Sequence, residues 1–168
     1  MTMKKIIALC FLPWIIIILI IAGYIVSIAI HYHHADQVNA QRLKTLQSDG
    51  LLTCSLAPIA PANGNTDACG SNHGIGFGGT SPTIVTRYFD LNGVDPDSAI
   101  VAFARCAQAG GWVVTSREEF KKQEIYLRGR KTCPGGWRAD MFIALGWRPF
   151  APANSPPVVQ IQLDAEVY

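Results

Sequence analysis

Asp67, Ser71 and His73 place a carboxylate, a hydroxyl and an imidazole within one short stretch, DACGSNH. Those are the residue types of a nucleophile, its base and the group that orients the base. A serine relay also needs a sharp turn to present the hydroxyl, and no G-x-S-x-G elbow surrounds Ser71. The i,i+2 spacing of Ser71 and His73 does not itself build the relay. The three residues define an envelope hydrolase as the second reading, with no catalytic residue assigned under the first.

Three further groups invite chemistry. GIGFGG matches G-x-G-x-x-G at Gly74, Gly76 and Gly79. That pattern binds dinucleotides only where it follows a strand and opens a helix. Here loop precedes it and Thr80-Ser81-Pro82 follows, so chance within a glycine-rich loop is the better account. His31, His33, His34 and Asp36 are metal-ligand types, with His31 and His34 three apart on a helix face. No third strong ligand or orienting partner accompanies them, and imidazoles are at home at a membrane interface. No CxxC, CxxH or HxxxH pair occurs. No metal and no cofactor are expected. Lastly, Arg128, Arg130, Lys131 and Arg138 cluster across a predicted hairpin. They form a ligand-surface candidate for anionic lipid heads or wall polymer. The plainer account is a solvated face with Glu124 and Asp140 as partners.

The segments that position these residues divide sharply. Residues 6–30 carry no charge, and twenty-five helical residues span about 37 Å, enough for a ~30 Å hydrocarbon core. A soluble helix of that length would show a polar face. The run is too long for the apolar region of a cleaved leader, although Ser27-Ile28-Ala29 would serve as a cleavage site. We therefore expect an uncleaved single-pass signal anchor, with a bend at Pro13 near the inner face. Lys4 and Lys5 precede the run and the next positive residue is Arg42, which predicts a cytoplasmic N-terminus and an extracytoplasmic remainder. The chain's formal charge of +2 resides entirely in those two lysines. Residues 31–168 are neutral overall, which argues against nucleic acid as a partner.

Of five cysteines, Cys10 lies in the apolar run. Cys54, Cys69, Cys106 and Cys133 lie beyond it, and an even number outside the cell suggests disulfides. Three pairings are open; the favoured one is Cys54–Cys69 with Cys106–Cys133, each closing a local loop.

Residues 1–5 thus read as a cytoplasmic N-terminus, 6–30 as a transmembrane helix and 31–50 as a polar juxtamembrane stalk. Val38, Leu43 and Leu46 give the stalk a weak apolar stripe. Residues 51–82 are rich in Gly, Pro, Ser and Asn and read as a stapled loop. Residues 83–168 read as an extracytoplasmic α+β domain. TIVTRYFDL is a strand. Asp95-Pro96 starts a helix that carries Ile100, Phe103, Ala104 and Ala107 on one face and ends at Gly110-Gly111. Trp112 to Thr115 is a strand, and Ser116 to Glu119 matches a capping box that predicts a short helical turn. Strands follow at Glu124–Lys131, Trp137–Leu145 and, after a proline-rich link at Pro149–Pro157, Val159–Val167. Trp112, Trp137 and Trp147 border strands, where an indole buries its ring and keeps its N–H in water. One helix cannot cover two faces. The expected fold is a transmembrane helix followed by a small, mostly antiparallel sheet with one main helix on one face.

RYFDLNGVDPDSAIVAFARCAQAGGW resembles a strand–helix–Gly-Trp unit of small secreted or membrane-anchored bacterial proteins, especially actinobacterial ones. The resemblance runs from Thr83 to about Trp147. It implies the fold and an envelope location, and it carries no catalytic residues. The function expected is a binding or accessory module at the bacterial cell envelope. Its partners are the lipid bilayer and another envelope protein or wall polymer.

Overall fold

The computed structural model describes residues 3–54, 56–70, 82–120, 124–145 and 158–165. The chain is an α+β protein with a long apolar N-terminal helix, a seven-stranded antiparallel sheet and a second helix.

Helix α1 runs Met3–Gln47 without a break and includes Pro13. At 1.5 Å per residue its 45 residues extend about 68 Å. From Pro13 onward it is long and apolar enough to cross a membrane, and none of its apolar stretch is buried in the domain. The residues expected to form a separate stalk instead end inside the domain. Leu46 and Leu51 are fully buried in the core, and Leu43 packs beside them. The weak apolar stripe is therefore a docking face.

Strands β1 (Ala60–Pro61) and β2 (Thr66–Ala68) follow. Both pair with the same edge of β3 (Thr83–Asp90), so the described part of the Gly/Pro-rich segment is not structureless. Helix α2 (Pro96–Ala109) starts as its sequence dictates: the Asp95 carboxylate accepts the Ser98 N–H at 2.9 Å, and Pro96 occupies the first turn. It ends at Gly110-Gly111, where Gly111 has φ +83°.

The chain then meanders through β4 (Val113–Phe120), β5 (Glu124–Thr132), β6 (Arg138–Leu145) and β7 (Val158–Ala165). The sheet order is β1-β3-β7-β6-β5-β4, with β2 also on β3. The helical turn expected at Ser116–Glu119 is absent. Those residues continue β4 after a bulge between Val114 and Ser116, because pairing with β5 outweighs a local capping pattern. Gly129 sits opposite that bulge. A Cβ there would lie 2.6 Å from Met141 Cε and 3.0 Å from the Val113 carbonyl oxygen.

The alternation expected in the last two strands holds. Ala139, Met141, Ile143 and Leu145 pair with Ala165, Leu163, Ile161 and Val159, and all eight are buried. They pack with Phe103 and Ile100 of α2 and with Leu46 and Leu51. The core face is thus covered by two helical elements, α2 and the end of α1, where one had been expected.

Candidate functional site

The two faces of the sheet hold the sequence-derived candidates apart. Strand parity places Arg128 and Arg130 on the open face, away from the helices. Lys131 lies on the core face, so the expected four-residue basic patch is divided. Lys131 Nζ donates to Asp49 Oδ2 at 2.8 Å, and it stands 5.6 Å from the centre of the Trp112 ring. Asp49 Oδ1 accepts the Trp112 indole N–H at 3.0 Å and the Leu51 N–H at 2.9 Å. One buried carboxylate therefore joins the end of α1 to the β4–β5 hairpin. Arg138 is exposed on the open face, opposite Thr132, outside the cavity described next.

Reading across the open face, one row runs Ile84, Asp164, Asp140, Arg130, Val113, and the next runs Thr86, Gln162, Phe142, Arg128, Ser116. A cavity of about 610 Å³ lies over the middle of these rows. Phe142 is the aromatic residue of its lining. Phe142 stacks on Tyr126 at 5.4 Å and 20°, and the Arg128 guanidinium lies 5.7 Å from the Phe142 ring centre.

The charges in this cavity are only partly matched. Arg130 Nε donates to Asp140 Oδ1 at 2.9 Å, as the sequence had suggested. The expected partner Glu124 instead accepts from the Tyr126 hydroxyl at 3.0 Å, and Arg128 has Glu118 at 3.8 Å. Asp164 faces Asp140 directly across the β6–β7 ladder. Its carboxylate accepts only the Gln162 amide, at 3.1 Å, and among the described residues no cation pairs with it. Burial raises its pKa; the Gln162 bond works against that shift, and the neighbouring Asp140 charge adds to it. Four residues away along β7 on the same face, Gln160 is 5% exposed and its Oε1 has no partner among the described residues.

The hydrolase candidates fare differently. Asp67 lies at the end of the sheet in β2, where Arg87 holds both its carboxylate oxygens and Gln47 donates to it at 2.8 Å. The Arg87 bond is the main reason its pKa falls below the usual carboxylate value. A carboxylate so occupied has little valence left to orient an imidazole. Ser71, His73 and the glycines Gly74, Gly76 and Gly79 lie outside the described residues.

The disulfide is Cys54–Cys106, which links the segment after α1 to α2. Neither favoured pair forms: Cys69 is free and exposed, and Cys133 is free and buried, its thiol pKa raised by that burial. The local-loop argument missed that the end of α1 docks on β3 and β7 in the same core as α2, which brings Cys54 to Cys106. No group of three or more metal-ligating side chains occurs among the described residues, and at the histidine cluster His33 meets Gln37 at 3.0 Å.

Sequence reasoning also missed Asp164 and Phe142 as members of a site. Their parity was readable, but their neighbours depend on the register of β5, β6 and β7. In comparisons with known proteins the chain matches no family model, no curated protein and no solved structure.

Proposed function

We propose that this chain is a single-pass, membrane-anchored binding or accessory module of the bacterial cell envelope, and that the open sheet face is its ligand surface. The observation that carries the reading is the mismatch of charge in the open-face cavity. On the core face, the Lys131–Asp49–Trp112 group has its strong donors and acceptors engaged. On the open face, among the described residues, Asp164 lacks a counter-charge and Arg128 has a single carboxylate, at 3.8 Å. A half-buried charge without a counter-charge, as at Asp164, opposes folding, and such groups concentrate at functional sites.

The location rests on three supports: an apolar helix of spanning length, two lysines before it and a disulfide beyond it. The hydrolase reading around Asp67, Ser71 and His73 gains no support, because Asp67 is already committed to Arg87.

Two experiments on the full chain in its native cells test the proposal. A membrane-impermeant maleimide should label exposed Cys69 in intact cells; labelling only after lysis would place the domain inside and sink the location. A photo-reactive amino acid at Ser116, on the cavity rim, should yield crosslinks that the same residue at Val101, exposed on α2, does not. Equal or absent crosslinking at both positions would remove the open face as the ligand surface.

A further inference from the structure

We infer that the open-face cavity takes a short zwitterionic peptide-like ligand, with its ammonium at Asp164 and its carboxylate at Arg128 and Arg130. This rests on the open-face reading above and specifies its ligand. Charge is segregated across the cavity. The carboxylates of Asp164 and Asp140 stand on β7 and β6, and the guanidinium groups of Arg128 and Arg130 stand on β5. Arg130 spends one nitrogen on Asp140, which leaves its two terminal nitrogens for a second anion. Arg128 pairs with Glu118 through Nε at 3.8 Å, which leaves its terminal nitrogens for a second anion. Asp164 accepts from one neutral amide and has room for charged donors.

The alternatives fit less well. A polyanion satisfied by the two arginines would lie against Asp140 and Asp164 and be repelled. A simple cation would meet the arginines, and the described residues hold no cluster of three ligating groups. A ligand with both charges is complementary at each end. On the diagonal from Asp164 to Arg128 its middle would pass Phe142, which lines the cavity and stands between Gln162 and Arg128.

Length supports the same class. From β7 to β5 is two strand spacings, about 10 Å. Three extended residues span about 10 Å as well. A tripeptide lying across the strands therefore places its two termini over the two charged zones.

The test uses the full chain in phosphatidylcholine nanodiscs and a ligand-observed NMR titration. The probe is trialanine, compared with N-acetyl-trialanine and trialanine amide. Saturable trialanine binding with Kd below about 1 mM is expected, weakened about tenfold or more by blocking either end. D164N should mimic the loss caused by acetylation, and R128A with R130A the loss caused by amidation. The capped peptides leave the protein unaltered, so a misfolded variant cannot decide the result.

Binding that ignores both caps, or no binding of trialanine at all, overturns the inference. So does binding of glycerol phosphate, as a soluble lipid-head probe, that needs the arginines, ignores D164N and displaces trialanine. In any of these cases, crosslinks from Ser116 in cells would leave the open-face reading standing with another ligand. Their absence as well would bring down both.

Discussion

The two faces of one sheet handle charge in opposite ways. On the core face, Lys131 and Asp49 are drawn inward, and each finds a partner together with the Trp112 indole. The charges there do structural work, fixing the end of α1 against the hairpin. On the open face, Asp164 sits half-buried beside another carboxylate, and two arginines line the same cavity as Phe142. Both faces carry charged residues. What separates them is completion. A group whose hydrogen-bonding capacity is filled by its own chain holds the fold; a group left open presents a surface.

If that division is correct, substitutions on the core face act on stability and those on the open face act on binding. F103A removes a fully buried ring that packs on Phe89 at 5.5 Å. It should cost about 3–5 kcal/mol in denaturant unfolding. F142A, on the open face, should cost about 1 kcal/mol. Equal losses would mean the open face is a second core.

Replacing Cys54 and Cys106 together with serine releases a loop of 52 residues. The chain-entropy relation gives a loss of about 4 kcal/mol. Treating the parent with reductant should reproduce it, and a parent indifferent to reductant would show that the bond does not form.

D49A leaves the Lys131 ammonium and the Trp112 N–H without their acceptor. It should cost about 2 kcal/mol and loosen α1 from the domain, seen as faster amide exchange at Leu46 and Leu51. Unchanged exchange there would deny the lock.

The pH dependence separates the remaining carboxylates. Asp67 has a lowered pKa because Arg87 binds it. Its contribution is present above the unfolded-state value and is lost as pH falls through the folded value. Both side chains are partly exposed, so D67N should cost about 1 kcal/mol or less at neutral pH. Asp164 has the opposite sign. Folding disfavours its charged form, so its penalty appears as pH rises through the unfolded-state value and is complete above the folded one. D164N should therefore raise the thermal midpoint at neutral pH, and the gain should vanish in acid. A neutral-pH loss would mean that Asp164 has a partner after all.

Much of this architecture was legible. Helix α2 carries its own start and stop in Asp95-Pro96 and Gly110-Gly111, and the core-facing positions of β6 and β7 recur at every second residue. The apolar run of α1 declares its length. Local rules failed where a distant partner decided. Ser116–Glu119 has a capping-box pattern, yet it pairs with Ile125–Arg128 as a strand. The cysteines were paired by nearness in sequence, whereas Cys54 reaches Cys106 because Leu46 and Leu51 carry the end of α1 into the core. Lys131 was grouped with Arg128 and Arg130 by composition, although its odd position alone assigns it to the other face. The candidate cavity was the least legible feature, since Asp140 meets Asp164 only through the β6–β7 register.

The most direct measurement combines R128A, R130A and D164N in the full chain carrying the photo-reactive residue at position 116. Thermal stability and crosslinking in native cells are read on the same variant. A stability within about 1 kcal/mol of the parent, with the crosslinks lost, is the predicted result. A variant that unfolds, or one that keeps its crosslinks, would contradict the division of labour between the two faces.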